Sequence, residues 1–412
     1  MPVLLARLFV RSRRTPAQAK RWRERLGYYQ HAPSALRPIW IHAVSVGETM
    51  AAVPLVRALQ EQLGGVDVLL TTTTLTGADT VVRMLGATVQ HAYFPYDLPQ
   101  VLERFLTHFQ PRMLVVMETE LWPNTFTACR RRALPIVLAN ARLSARSMAG
   151  YRRFATLSRD TVRSIDHIAA QTNEDAARFI ALGADAHRIA VIGSLKFDLD
   201  LPASVHEQAA AVRRDLGINR PLLIAASTRE GEEELVLDAF LEIERQLPQS
   251  LLLLVPRHPQ RFDQVAQLCA SRGLRCRRRS QSSVCTPEDQ IYLLDSMGEL
   301  PRHYAAADVA FVGGSLLPFG GHNVLEPAAL GRPVLVGPHT FNFAEIVRLL
   351  HEAGGLLVVD DAQQLASAAV NWLRDSNERD RVGALACDIV HRHRGATRRT
   401  VGVIGDLLAG RW

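Results

Sequence analysis

Residues 38–74 read PIWIHAVSVGETMAAVPLVRALQEQLGGVDVLLTTTT, and the change of period along them decides the fold. Residues 38–46 are a short, apolar, β-rich run that ends at Gly47. Residues 50–63 then place apolar side chains at helical spacing. Residues 66–74 return to a β-rich run. Strand, helix, strand in that order is the unit that builds a parallel sheet. The alternation continues outward, with helices over about 78–85 and 98–109 and strands over 91–94, 113–117, 135–139 and 167–170. The run 191–193 closes the series. Residues 198–202 (DLDLP) are acidic, end in proline and read as a linker. A second series follows, with strands over 222–226, 251–255, 291–294, 309–312, 334–336 and 356–359 and helices between them. The expectation is an α/β chain of two Rossmann-like doubly wound domains, 40–200 and 203–390, facing across a cleft. Residues 1–39 read as a membrane-associating helix and connector. Residues 391–412 read as a terminal helix free to pack back on the first domain. The Arg- and Ser-rich stretch 275–287 reads as a loop without function.

The composition agrees with two domains. At 412 residues the chain exceeds what one hydrophobic core usually organises. A hydrophobic fraction of 48% and a charged fraction of 22% are those of a globular protein. The formal charge of +7 fits nucleic acid, anionic lipid or a phosphorylated substrate and does not choose among them. Nearly all the basic charge is arginine; Lys20 and Lys196 are the only lysines. The five cysteines lack Cys-x-x-Cys spacing, so neither a disulfide framework nor a zinc site is expected, and a reducing compartment fits best. Residues 2–10 are apolar apart from Arg7, too short for a bilayer span of roughly 20 residues. Residues 11–25 are dense in Arg and Lys around Trp22, which reads as an interfacial anchor on an anionic membrane surface; the alternative is a basic helix packed on the domain.

In open α/β sheets ligands sit beyond the carboxyl ends of the strands, so the loops there carry the candidates. Glu48 follows the first strand in a helix's first turn, where the dipole favours an ionised carboxylate able to act as general base. A plain dipole-favoured Glu is the alternative. Residues 71–77 (TTTTLTG), with Thr74 and Gly77, offer hydroxyls and amides to an anion, or a simple Thr cap. Glu118 and Glu120 follow the apolar run 113–117 beside Trp122; two acids there are costly unless used or paired, and which one faces the cleft is open. Ser227 and Thr228 precede the acids 232–233 and read as a phosphate-binding helix start or as a capping motif. Arg257 suits a phosphate or a carboxylate. The most informative loop is FVGGSLLPFGGHNVLEP, residues 311–327. Its glycines, Gly313, Gly314, Gly320 and Gly321, would let amides approach a phosphate. A helix starting near His322 would aim at the ligand, and Glu326 would accept from ribose hydroxyls. Walker, His-Glu-x-x-His, nucleophile-elbow and Gly-x-Gly-x-x-Gly signatures are absent from the sequence.

The segments IHAVSVGET, TTTTLTG, METELWPN, LANARLSARS, GSLKFD, LLVPRHP, GGHNVLEP and GPHTFNF, in this order, closely resemble the Kdo transferases, which add 3-deoxy-D-manno-octulosonic acid to a lipid A precursor. The resemblance runs from about Arg21 to the C-terminal helices. It implies the two-domain GT-B fold and an inverting, metal-independent transfer from CMP-Kdo, with no cofactor besides the donor. The implied acceptor is the 6′-hydroxyl of lipid IVA, in lipopolysaccharide core biosynthesis at the cytoplasmic face of the inner membrane. Glu48 matches the general base. Lys196, Ser227, Thr228, Arg257, Met297, Gly298, Glu299, Gly320, Gly321, His322, Asn323 and Glu326 match the donor side. Thr74, Gly77, Glu118 and Glu120 fall on the acceptor side or in support. The implied partners are CMP-Kdo, lipid IVA and an anionic membrane surface, with no nucleic acid; oligomeric state is open. The chain departs from the family pattern in a shorter N-terminal apolar run, in Arg229 where His is common, and in the basic HRHRG at 391–395. Two rivals stay in view: another nucleotide-sugar enzyme of the same fold, such as an epimerase or hexosyltransferase, and a non-catalytic binder of anionic lipid.

Overall fold

The computed structural model describes residues 21–30 and 36–410. The apolar run 2–10 and the basic residues 11–20 lie outside them. The described chain divides into two compact units, the described residues up to 198 with 394–410, and residues 199–393.

In the first unit, β1 (Ile39–His42), β2 (Val68–Thr72), β3 (Gln90–Tyr93), β4 (Met113–Met117), β5 (Ile136–Ala141), β6 (His167–Ala170) and β7 (Ile189–Val191) form one sheet in the order β3-β2-β1-β4-β5-β6-β7. Every pairing is parallel. The strands are apolar on both faces because helices cover both: β1 and β4 are buried at every residue. Facing one side are α1 (Val46–Gln62) and α2 (Leu75–Leu85), packed on Ile39, Ile41, Val68 and Val115. On the other side α3 (Pro99–Phe109) and α4 (Pro123–Arg131) pack Phe105, Phe109 and Phe126 around Trp40. Two short helices, α5 (Ala145–Arg152) and α6 (Ala155–Arg163), and α7 (Asn173–Leu182) complete the wrapping.

The second unit repeats the plan. After α8 (Val205–Leu216), the strands β8 (Leu222–Thr228), β9 (Leu251–Pro256), β10 (Cys276–Arg278), β11 (Ile291–Leu293), β12 (Val309–Val312), β13 (Val334–Val336) and β14 (Leu356–Val358) run parallel in the order β10-β11-β9-β8-β12-β13-β14. The intervening helices are α9 (Glu232–Gln246), α10 (Phe262–Ser271), α11 (Leu300–Ala306), α12 (Leu325–Ala329), α13 (Ala344–Glu352), α14 (Ala362–Arg374) and α15 (Ser376–His393). The last helix, α16 (Ala396–Leu408), returns to the first unit and buries Ala396, Val401 and Ile404 against α1. The return is anchored at its start. Asp198 accepts from the Gly395 and Thr397 amides, both at 2.6 Å, and so satisfies the first turn of α16.

Three sequence expectations change. The stretch 275–287 holds an edge strand, β10, although Cys276 is its only apolar residue. The first long helix begins at Val46, ahead of residue 50, because Ser45 caps it. The basic stretch is not all free for a membrane. Arg21 bonds Glu24 and the His91 carbonyl, Arg25 donates to the Thr73 carbonyl at 2.7 Å, and both guanidinium groups lie over Tyr93. Among the described residues no helix is long and apolar enough to cross a membrane.

Candidate active site

Each sheet reverses its strand order near its centre, between β1 and β4 in the first unit and between β8 and β12 in the second. Loops leaving the carboxyl ends of such a strand pair diverge to opposite faces and leave room for a ligand. Both groups of candidate residues lie there.

In the first unit Ser45 and Glu48 form a capping box. The Glu48 amide donates to Ser45 Oγ at 3.4 Å, Ser45 Oγ donates to Glu48 Oε1 at 3.0 Å, and the Val44 amide donates to Oε2 at 2.8 Å. The carboxyl is buried, and burial pushes its pKa up, with the Glu118 charge adding and the Val44 N–H opposing. The helix dipole alone predicts the reverse; desolvation outweighs it. From the neighbouring β4, Glu118 adopts φ 56°, a costly left-handed conformation for a side chain with a Cβ. Its Oε1 lies 3.6 Å from Lys196 Nζ. Glu120 is pushed up to about 7 by burial and by the charges of Glu48 and Glu118, while the Trp122 indole lowers it. Both acids after β4 therefore act on the same electrostatic cluster as Glu48. Lys196 belongs to the first unit and pairs with Glu118. At residues 71–77 the structure shows the cap that the sequence offered as the alternative. Thr74 Oγ1 accepts from the Gly77 amide at 3.1 Å, capping α2.

In the second unit β8 bulges between Ala226 and Thr228, and Ser227 takes φ 60° at the bulge. Thr228 is fully buried and its hydroxyl donates to Glu233 Oε1 at 3.2 Å. The cap of α9 is Gly231, not Ser or Thr. The expected Gly313–Gly314 phosphate cradle is also occupied from within. A Cβ on Gly313 would lie 2.8 Å from Thr228 Cα, which makes it a packing glycine. The Gly314, Ser315 and Leu316 amides donate to Glu232. The helix expected near His322 starts at Leu325 and is one turn long.

What remains open to a ligand is a set of side chains. His322 lies against Gly314, its Nε2 buried without a hydrogen-bond partner. It is pushed down to about 4 by burial and then by Arg257, Arg229 and His258, so it is neutral near pH 7. Arg229 Nη1 sits 2.8 Å from His258 Nε2 and over the Phe319 ring. Arg257 is exposed and acts on both His322 and Glu326. Glu326 is pushed up by burial, opposed by a 3.1 Å bond from Asn323 Nδ2 and by Arg257. Gly320 and Gly321 take φ 97° and 77°, and a Cβ on Gly320 would strike Phe341 and Asn342, so both glycines are required. Met297 and Gly298 form an exposed turn. Glu299 is consumed by Arg279 at 3.1 Å and Arg302 at 2.5 Å, which lower its pKa against the cost of burial; it holds the turn in place. Sequence reasoning singled out Arg229 only as a departure from the family pattern, and it missed His258 and the ligand-like role of Glu232.

Residues 20–199 match the family model described as 3-deoxy-D-manno-octulosonic-acid transferase (kdotransferase). A protein of that name from Haemophilus influenzae is 40% identical over 410 residues, 99% of this chain and 96% of that protein. The chain belongs to the Kdo transferase family. A Bordetella pertussis protein of the same name agrees, with 42% identity over 393 residues, 93% of this chain and 90% of that one. The Kdo transferase is thus a glycosyltransferase. Its fold is also that of a UDP-GlcNAc 2-epimerase from Neisseria meningitidis, TM-score 0.60 at 14% identity, covering 89% of this chain and 99% of that one. That likeness shows the GT-B-type fold alone. The epimerase rival falls with the family assignment, as does the non-catalytic lipid binder.

Proposed function

We propose that this Kdo transferase moves Kdo from CMP-Kdo to the 6′-hydroxyl of lipid IVA with inversion and without a metal, in lipopolysaccharide biosynthesis at the cytoplasmic face of the inner membrane. The observation that carries the chemistry is Glu48, a buried carboxyl in the first turn of the helix that follows a central strand, with its pKa raised. The acceptor oxygen forms the new bond to the anomeric carbon of Kdo. Its proton passes to Glu48. The bond from that carbon to the CMP phosphate breaks, and the phosphate departs with the electron pair. Lys196, 3.6 Å from Glu118, supplies positive charge for the developing negative charge on the reactants. In the second unit, Arg257, Arg229 and the neutral His322 suit the donor's phosphate and carboxylate, and Glu326 with Asn323 suits the ribose hydroxyls. The relatives' name supports Kdo as the sugar. Membrane attachment rests on the sequence of residues 2–25. Transfer from CMP-Kdo and from UDP-sugars, run side by side on lipid IVA with and without EDTA, tests the reading. Turnover with UDP-sugars alone, or loss with EDTA, would overturn its donor or its metal independence.

A further inference from the structure

Glu232 is fully buried at the first turn of α9, and four backbone N–H groups converge on its carboxylate. Gly314 N lies 2.6 Å from Oε2, Ser315 N and Leu316 N each 2.9 Å from Oε1, and Arg229 N 3.1 Å from Oε2. Among the described residues no Lys, Arg or His side chain forms an ion pair with it. A buried carboxylate without a counter-charge is sustained only by such donors. Successive amides at 314–316, pointing one way, are the arrangement that receives an anion. Here the anion is part of the chain.

The contact joins the two loops at the centre of the sheet, since Glu232 follows β8 and Gly314 follows β12. It extends further. Ser315 Oγ donates to the Val312 carbonyl at 2.6 Å and accepts from the Gly337 amide at 2.8 Å, beyond β13. The Gly314 carbonyl accepts from the Gly321 amide at 2.6 Å, and His322 packs on Gly314. A continuous set of bonds thus runs from Glu232 to the loop bearing Gly321, His322 and Asn323.

We propose that Glu232 is a positioning residue for the donor site: its carboxylate fills the amide nest of residues 314–316, fixes the following glycine-rich loop, and leaves the donor phosphate to side chains. The proposal rests on the reading of this unit as the CMP-Kdo site. The test uses the full-length protein, Glu232→Gln and Glu232→Ala, with folding checked by circular dichroism and melting. Three quantities are measured: CMP affinity by calorimetry, amide exchange over 312–324 by mass spectrometry, and the response of both to sodium formate. In the wild type the 314–316 amides are expected to exchange slowly. Glu232→Gln, which turns an N–H toward the nest, is expected to weaken CMP roughly tenfold or more and to speed exchange there, with first-unit peptides unchanged. Formate is expected to restore both properties to Glu232→Ala, saturably, and to leave the wild type unaffected. A folded variant with CMP affinity and loop exchange unchanged would overturn the proposal. So would fast exchange at 314–316 in the wild type, which requires no variant, or an Ala variant whose weakened CMP binding ignores formate. Failure of the wild type to bind CMP would instead strike the donor reading and leave the exchange result standing.

Discussion

Glu48 serves the fold and the proposed chemistry through the same atoms. Its carboxylate closes the capping box at the start of α1 and is the proposed proton acceptor. Glu48→Gln keeps an oxygen for the cap and removes the base. The expected result is a loss of about 100-fold or more in turnover with CMP affinity intact, read by single-turnover transfer and calorimetry. Turnover near wild type would remove Glu48 from the mechanism. Its pKa is raised, so the acidic limb of the rate profile is expected above the ordinary carboxylate range. Glu118 contributes to that rise, and Glu118→Gln is expected to move the limb to lower pH in whatever rate remains. Glu120 gives a stability test. With its folded pKa at about 7, above the unfolded value of 4.5, the native state holds more protons between those values. Stability therefore falls as pH rises through that window. Glu120→Gln is expected to flatten this slope and to raise the melting temperature at pH 8 relative to wild type; an unchanged slope would count against the carboxyl cluster. Glu118 and Glu120 were legible because acids directly after a buried apolar run are costly unless used or paired, whereas position alone left Glu48 open between a base and a dipole-favoured first-turn residue. The bond from Glu232 to Gly314 was not legible, since 82 positions separate the partners and only the adjacency of β8 and β12 brings them together.

Elements were legible in proportion to their burial. β4, β12 and β13 are continuous apolar runs, β6 is apolar after His167, and all four match their expected bounds, as strands covered on both faces should. β10 was not, because an edge strand of Cys276, Arg277 and Arg278 exposes half its pairing groups and needs no apolar pattern. Helix starts shifted where a capping side chain, rather than periodicity, sets the boundary, as Ser45 does for α1 and Thr74 for α2. The last helix depends on a cap from far away in the chain. Asp198→Ala removes the acceptor of the Gly395 and Thr397 amides and is expected to cost about 1–2 kcal/mol, measured by urea unfolding of the first unit's signal. A change within a few tenths would mean that α16 is held by its apolar face alone.

At the scale of the whole molecule, each unit has its own sheet and core, and the proposed substrates divide between them. CMP should therefore stabilise one unit by mass action, slowing amide exchange within residues 199–393 and leaving 36–198 unchanged. The plan of two doubly wound α/β units was readable from the strand–helix alternation, whereas the GT-B assignment, the sugar and the acceptor were readable only through resemblance, because no residue in either loop set is specific to Kdo on chemical grounds. The most direct measurement is transfer to lipid IVA with CMP-Kdo generated in place, read by mass spectrometry with and without EDTA, with Glu48→Ala alongside. The expected result is a gain of one or more Kdo units, insensitive to EDTA and absent in the variant. No gain from the wild type, with acceptor dispersed and CMP-Kdo confirmed present, would contradict the assignment of donor and acceptor.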